Sequence, residues 1–177
     1  VKQRVMVMKR FHHLVAKHRE LLADFIQLET GKDRTAAFDE VLDVLNNARY
    51  YSNNAPKLLA TQKQPGAFPL ITKTHLQRVP KGVVGQISPW NYSLALGISD
   101  AVAALLAGNG VVAKPDGSTP FSNLISLYLL REAGLPKDLL QIVTGSGRVV
   151  GSAISEHCDY LMFTGSTKTG KILGATV

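Results

Sequence analysis

The sequence has little cysteine, few aromatic residues and no long hydrophobic run. Its single cysteine, Cys158, excludes a disulfide within the chain and is typical of a reducing compartment. No apolar run approaches the roughly 20 residues of a transmembrane helix, so we expect no membrane span. The N-terminus has neither the apolar core nor the cleavage site of a signal peptide, and we expect a cytoplasmic protein. Because the sequence starts at Val1 rather than Met, an upstream targeting segment stays open as an alternative.

The positive charge is spread out rather than clustered. The chain has 20 Lys and Arg against 13 Asp and Glu, which gives a formal net charge of +7. There is no block of like charge and no run of aromatics interleaved with basic residues, so we expect no nucleic-acid partner. The five histidines show no metal-ligand spacing with Cys158, which predicts no metal site. At 177 residues and 45% hydrophobic content, the chain can form one domain, or a domain with an appendage.

The first 80 residues predict two helices and an extended arm. Apolar side chains recur at helical spacing over residues 4–30, and Gly31 is a plausible stop. A second helix is predicted over residues 37–51, with residues 53–56, Asn-Asn-Ala-Pro, disrupting its end.

The segment that follows is less apolar and predicts little regular structure. Residues 61–69, with two prolines and a glycine, predict a loop. From Leu70 to Val79 the sequence is extended and half apolar, as in a strand exposed on one face or an arm that reaches another subunit.

From residue 81 onward, strands and helices alternate. The patterns predict strands at 82–88, 110–114, 139–144 and 159–164, and helices at 94–107, 120–133, 148–156 and from about 168 to the end. Such alternation predicts an α/β fold, a Rossmann-like parallel sheet with helices on both faces. We therefore divide the chain into residues 1–80, the helices and arm, and residues 81–177, the nucleotide-binding βα units.

Two predicted strands end in residues suited to ligand binding. The first ends in Ser88-Pro89-Trp90-Asn91, where proline stops the hydrogen-bond ladder and leaves an indole and an amide at the carboxyl end. The next ends in Lys114-Pro115. Ligands of open α/β sheets bind outside the carboxyl ends of the strands, so both ends indicate a nucleotide-binding sheet.

Two glycine clusters lie at strand-to-helix junctions. Residues 145–151 resemble the dinucleotide fingerprint with one residue too many, and a simple tight turn is the alternative. Residues 165–171 nearly match the P-loop, but Ile172 stands where Ser or Thr would hold magnesium, which argues against an ATPase or GTPase. This second turn can still bind phosphate through backbone N–H groups and the Ser166 hydroxyl, unless Ser166 only caps the helix.

Together these segments resemble the cofactor-binding part of the aldehyde dehydrogenase superfamily. The matching stretches are residues 82–85 with 89–91, 106–109 leading into 114–115, 132–136, and 163–167 with Gly170. The sequence around residues 27–32, 50–51 and 159–163 is similar to a bacterial succinate-semialdehyde dehydrogenase branch.

The resemblance implies roles for particular residues. Asn91 would donate its amide to the oxyanion formed when a thiolate attacks an aldehyde, or else it satisfies backbone groups in the turn. Trp90 would line the cofactor cleft, with a core indole as the alternative. Lys114 would reach the adenosine ribose, with a solvent-facing lysine as the alternative, and Gly165 and Ser166 would cradle the pyrophosphate. The full implied cofactor-binding set is Ile87, Ser88, Pro89, Trp90, Asn91, Lys114, Pro115, Asp116, Gly117, Gly147, Gly151, Gly165 and Ser166.

The resemblance also bears on the choice between NADP and NAD. Family members that prefer NAD usually have a glutamate where this chain has Gly117. A carboxylate there would repel the 2′-phosphate of NADP, and glycine removes that repulsion while Lys114 and Ser118 can attract phosphate. We therefore predict that NADP is accepted.

The nucleophilic cysteine and the glutamate base of the resembling family lie beyond the helix that includes Gly170. We interpret Cys158, before the last strand and away from the ligand-binding ends, as structural. We therefore expect the sequence to be an incomplete part of an NAD(P)-dependent aldehyde dehydrogenase that is homo-oligomeric when full length. Its substrate is expected to be an aldehyde, and the narrower resemblance implies succinate semialdehyde. The alternatives are a catalytically inactive nucleotide-binding or assembly fragment and an acyl-CoA reductase of similar architecture.

Overall fold

The N-terminal part of the chain forms a layer of three helices. The structure, a computed structural model, describes residues 1–68 and 71–175. Helix α1 spans Lys2–Lys17, α2 spans Arg19–Thr30 and α3 spans Arg34–Leu58. The prediction of one helix over residues 4–30 was wrong, because the chain breaks at His18. Buried residues continue at helical spacing across the break, so periodicity does not reveal it; they are Met8, Phe11, Val15, Leu22 and Ile26.

Helix α3 continues through the segment that was expected to end it. Pro56 lies inside the helix, three positions before Leu59, the C-cap. A proline removes one backbone hydrogen bond, and near a helix end this loss is small beside the packing of the buried Ser52 and Ala55. The predicted stop at Gly31 is confirmed, since it ends α2 in the left-handed conformation with φ of 71°.

The extended arm is a short antiparallel ribbon. Strand β1, Gln62–Gln64, pairs with β2, Thr74–Leu76, and every residue of both strands is exposed. Strand β1 corrects the prediction of a loop over residues 61–69; three exposed residues carry no apolar alternation by which to recognise a strand. Pro69 and Leu70, in the predicted loop and arm, lie outside the described residues.

The second half of the chain is a parallel four-stranded sheet in the order β5-β4-β3-β6. Its strands are β3 (Val83–Ile87), β4 (Gly110–Lys114), β5 (Leu140–Ile142) and β6 (Tyr160–Phe163). The helices are α4 (Ser93–Ala107), α5 (Phe121–Glu132), α6 (Ser152–His157) and α7 (Thr167–Gly174). The predicted helix at 148–156 begins instead as a π-helix, Gly147–Gly151, that leads into α6. The last predicted helix reaches Gly174, and residues 176–177 lie outside the described part.

Helices cover both faces of this sheet, as predicted. Gln86 points to α4, because its amide donates to the carbonyls of Leu96 (2.8 Å) and Gly97 (3.1 Å). Gly85 faces the other way, toward Ile154 of α6. The main core lies between the sheet, α4, α5 and the three N-terminal helices. In the described residues no helix is both long and apolar enough to cross a membrane.

Candidate functional site

A cleft of about 430 Å³ opens at the carboxyl ends of the strands. The chain runs outward from β3 through β4 to β5 and then returns to β6 on the other side of β3. The cleft therefore lies at the topological switch point, where open α/β sheets bind ligands. Its walls come from the ends of all four strands: Ile87, Ser88, Pro89, Lys114, Asp116, Gly117, Gly145, Ser146, Gly147, Phe163, Thr164, Gly165 and Thr169.

Lys114 is a buried cation in this cleft. It is the last residue of β4, only 5% exposed, and its Nζ donates to the carbonyl of Pro115 at 3.0 Å. The alternative of a solvent-facing lysine is therefore wrong. An ammonium group has three donors, and the other two have no partner among the described residues. Buried donors without partners are costly, so this site suits a ligand with hydroxyl or phosphate oxygens.

Asp116 brings a negative charge to the same wall. Its Oδ1 accepts hydrogen bonds from the backbone N–H (3.0 Å) and the hydroxyl (2.7 Å) of Ser118. These two hydrogen bonds, with a smaller contribution from Lys114, lower the pKa of Asp116, so its carboxylate stays ionised at neutral pH. Gly117 has open space around it, since a Cβ added there would meet no atom within 4 Å. The cleft thus lacks a carboxylate at 117 but carries one at 116.

The first glycine cluster forms a turn that opens a helix. Gly145 adopts φ of 145°, and Ser146 caps the π-helix by accepting a hydrogen bond from Val149 N–H at 3.3 Å. Gly147 lines the cleft and has open space around it. Gly151 is buried and lies outside the cleft wall, and a Cβ added there would lie 3.6 Å from Ile87, an ordinary van der Waals distance.

The second glycine cluster shows the capping geometry that was its alternative interpretation. The Ser166 hydroxyl accepts from Thr169 N–H at 3.2 Å and shares a 3.0 Å hydrogen bond with the Thr169 hydroxyl. Ser166 is not among the cleft-lining residues, whereas Gly165 and Thr169 are. The Ser166 hydroxyl satisfies the N–H of Thr169, and the N–H groups of Thr167 and Lys168 remain in the first turn of α7 to meet an anion.

The loop after β3 carries four predicted site residues, of which Ser88 and Pro89 line the cleft and Trp90 and Asn91 do not. Trp90 is 56% exposed, so the alternative of a core indole is wrong. Asn91 is exposed, and its amide makes no hydrogen bond with any residue that the structure describes. It therefore does not satisfy the turn, and its amide is free to act as a donor. Pro115 also lies outside the lining set, although its carbonyl holds Lys114.

Five lining residues were missing from the predicted set: Gly145, Ser146, Phe163, Thr164 and Thr169. Phe163 and Thr164 belong to the strand end before Gly165, and a strand-end rule applied to β6 as it was to β3 would have found them. Thr169 follows Ser166 by one turn of α7. It could be found only once the first residue of that helix was known, and the sequence did not define it.

Cys158 lies at the opposite end of the sheet from the cleft. It is half-buried beside α6, and a side chain at Gly85 would meet its sulfur at 3.0 Å. This position agrees with a structural thiol. Over residues 1–68 and 71–175, no group of three or more His, Cys, Asp or Glu is arranged to hold a metal.

Comparison with known proteins agrees with this arrangement of strands and helices. The model of the aldehyde dehydrogenase family matches residues 1–177. The chain belongs to the aldehyde dehydrogenase family. The predicted family resemblance is thus confirmed.

Among family members with curated names, a Mycolicibacterium smegmatis protein is 57% identical over 173 residues. It carries the provisional name succinate-semialdehyde dehydrogenase (NADP+), and the match covers 98% of this chain and 34% of that protein. A Mycobacterium tuberculosis protein with a similar provisional name is 50% identical, with 97% of this chain and 33% of that protein covered. The chain spans about a third of the length of the curated relatives it matches.

Solved aldehyde dehydrogenase structures share the fold. An NAD-dependent benzaldehyde dehydrogenase from Corynebacterium glutamicum superposes with a TM-score of 0.90 and 32% identity, over 98% of this chain and 38% of that one. An aldehyde dehydrogenase from Brucella melitensis gives a TM-score of 0.92 and 30% identity, over 99% of this chain and 36% of that one.

Proposed function

We propose that this chain supplies the cofactor-binding part of an NAD(P)-dependent aldehyde dehydrogenase that oxidises succinate semialdehyde to succinate. The observation that carries the proposal is the cleft at the switch point of the sheet, with the buried Lys114 ammonium between two glycine turns. The names of the Mycolicibacterium and Mycobacterium relatives support the aldehyde. In this proposal residues 81–177 form the cofactor cleft, and residues 1–80 support it and extend the arm to a second subunit.

The residues present fit a dinucleotide. Lys114 has unused donors for ribose hydroxyls or a phosphate, and Gly117 and Gly147 leave open space on the wall. The N–H groups at the start of α7, beside Gly165, suit the pyrophosphate. The bound nicotinamide would supply the hydride acceptor of the reaction, and the protein contributes binding and orientation.

The choice between NADP and NAD depends on charges around the ribose. Gly117 places no carboxylate against a 2′-phosphate, which favours acceptance of NADP. Asp116 keeps a negative charge on the same wall, although Ser118 occupies its Oδ1. We propose that both cofactors bind, with Lys114 offsetting the Asp116 charge. Relatives named for NADP and a structural neighbour named for NAD both support this proposal.

Asn91 is proposed to act as an oxyanion donor. Its amide is exposed and without a partner in the described structure, on the loop that leaves the cleft wall at Pro89. A preorganised donor stabilises charge that develops on the aldehyde oxygen in the transition state, and loss of one such donor lowers kcat by about 100- to 1000-fold.

The test uses the full-length enzyme that contains this sequence, assayed with a panel of aldehydes and both cofactors. We expect turnover of succinate semialdehyde, a kcat in Asn91→Ala lower by about 100-fold, and a KM for cofactor in Lys114→Met higher by about 10-fold. Lys137→Met, at an exposed lysine away from the cleft, is the matched control.

Three outcomes would contradict parts of this proposal. Binding of NAD alone would overturn dual cofactor use. Cofactor binding without oxidation of any aldehyde would favour the inactive nucleotide-binding alternative. Conversion of the aldehyde and coenzyme A to an acyl-CoA, with reduction of NAD(P)+, would favour the acyl-CoA reductase alternative.

A further inference from the structure

The helix that follows the Asn91 loop is capped by a residue from a distant part of the chain. The N-cap of α4, Tyr92, makes no side-chain capping bond. Instead, Glu40 of α3 reaches the helix end, and its Oε2 accepts from the N–H groups of Leu94 (2.9 Å) and Ala95 (3.2 Å). Two otherwise orphan donors of the first turn are thereby satisfied by a carboxylate, the charge that a helix N-terminus favours.

Glu40 is fully buried and paired. Its side chain has no exposed area, and its other oxygen, Oε1, forms a short salt bridge with Lys32, whose side chain is 18% exposed. The Lys32 ammonium also lies 4.1 Å from the ring centroid of Tyr92. On the other side, the amide of Asn123 donates to the Ser93 carbonyl at 2.9 Å. The residues directly after Asn91 are thus held from several directions, while Asn91 itself is free.

The next strand-to-helix loop of the cleft is held in the same manner. Helix α5 starts after Pro120 and has no side-chain cap of its own. Glu29 of α2 accepts from Phe121 N–H in a short hydrogen bond, and from Ser122 N–H at 3.1 Å. The loop before it begins after Lys114, the last residue of β4, and carries the cleft residues Asp116 and Gly117; we call it the Lys114 loop.

We propose that Glu40 is a positioning residue for the Asn91 loop and that Glu29 is the corresponding positioning residue for the Lys114 loop. The proposal rests on the proposed function, because it gives each loop its catalytic or binding role. Burying a carboxylate away from water costs free energy on folding. A serine or aspartate at the N-cap itself would cap α4 without that cost. What Glu40 adds is a fixed link between the rigid helical layer and a loop whose reactive side chain has no other support.

We expect substitutions of the two glutamates to have different kinetic effects in the full-length enzyme. Glu40→Ala should lower kcat by roughly 100-fold with little change in the KM for cofactor, because displacing a donor by about 1 Å costs that much. Glu29→Ala should raise the KM for cofactor several-fold and leave kcat nearly unchanged. Glu40→Gln keeps an acceptor oxygen and the side-chain shape, so it should restore part of the kcat that Glu40→Ala loses.

A second measurement does not depend on activity. Amide hydrogen exchange should increase in peptides covering residues 88–96 for Glu40→Ala and in peptides covering 116–124 for Glu29→Ala, with the other region unchanged in each. Because Glu40→Ala leaves Lys32 without its carboxylate, the double variant Glu40→Ala with Lys32→Met is measured beside it. That variant and Glu40→Gln keep the test decisive if the single alanine variant fails to fold.

The outcomes separate this proposal from the proposed function. An inactive wild-type enzyme would contradict the proposed function, while hydrogen exchange would still test the two anchors. Faster exchange throughout the chain, or an unchanged kcat in every Glu40 variant of an active enzyme, would overturn the positioning role and leave Glu40 as a stabilising residue only.

Discussion

On one face of the parallel sheet, α4 and α5 are enclosed between the strands and the three N-terminal helices. On the other face, in the described part of the chain, the π-helix and α6 leave a groove of about 330 Å³. Val84 and Val111 on the first face are each 2% exposed, whereas Val83 and Val143, which line the groove, are 41% and 38% exposed. The first face is therefore a closed core, and the second is an apolar surface with room to adjust.

This difference has a functional meaning. Both glutamate anchors, Glu40 and Glu29, come from the closed side, so the Asn91 loop and the Lys114 loop are held by the buried, closely packed side of the sheet. The turn around Gly147 leads into the groove side. We expect stability and loop geometry to depend on the closed face, and the groove face to tolerate changes in side-chain size.

The sharpest test makes the same truncation on each face. Ile98 is fully buried in α4, and Ile154 of α6 borders the groove. Ile98→Ala should lower the free energy of unfolding by about 3–4 kcal/mol, because it leaves a cavity in a closed core. Ile154 is buried, 8% exposed, but one side of it faces the groove rather than packed side chains, so Ile154→Ala should cost less, about 2 kcal/mol. Equal losses in urea unfolding would contradict the comparison.

A similar pair of variants adds a methyl group to each face. A side-chain carbon at Gly97 would lie 2.0 Å from Asn123 Oδ1, and one at Gly85 would lie 2.5 Å from Ile154 Cγ2. Asn123 is held by its bond to Ser93, so Gly97→Ala should cost about 2–3 kcal/mol. The carbon at Gly85 would also lie 3.0 Å from Cys158 Sγ, and both Ile154 and Cys158 border the groove, so Gly85→Ala should cost less than Gly97→Ala, about 1–2 kcal/mol. Thermal unfolding of both variants measures the difference.

Larger side chains should act with opposite sign on the two faces. Ala153 lines the groove, so Ala153→Leu should bury apolar surface and stabilise the fold by about 0.5–1 kcal/mol. Ala101 is fully buried in α4, and Ala101→Leu should destabilise it by about 1–3 kcal/mol through overpacking. A stabilising Ala101→Leu would show that the closed core has unused space.

The smallest expected effect is electrostatic and lies at the edge of the closed side. Partial burial, and then the nearby Asp43 carboxylate, raise the pKa of Asp100. When folding raises the pKa of an acid, the protein loses stability as the pH rises from the unfolded pKa of 3.8 through the higher pKa of the folded state. Asp100→Asn should therefore raise the free energy of unfolding at pH 7 by less than about 0.5 kcal/mol, with a slightly higher Tm, and have no stabilising effect near pH 3. Melting curves at both pH values decide the sign.

The sequence was sufficient to predict the sheet, because each of its strands is marked by residues next to one another in the chain. Pro89 and Lys114 mark strand ends in the sequence itself, and the alternation of strand and helix fixes the parallel arrangement. The break at His18 and the continuation of α3 through Pro56 were missed, because packing decides both while the hydrophobic period stays unchanged. The Glu40 anchor could not be predicted, since it depends on a contact between residues 54 positions apart. Whether Trp90 is buried in the core or exposed near the cleft was left open for the same reason.

The exposure of Trp90 has a practical consequence. It is the single tryptophan among the 177 residues, and it lies two positions beyond Ser88 on the lip of the cleft. The tryptophan fluorescence of this chain therefore originates next to the cleft wall, from an indole in contact with water. Quenching of that emission would follow ligand entry directly, without a label and without turnover.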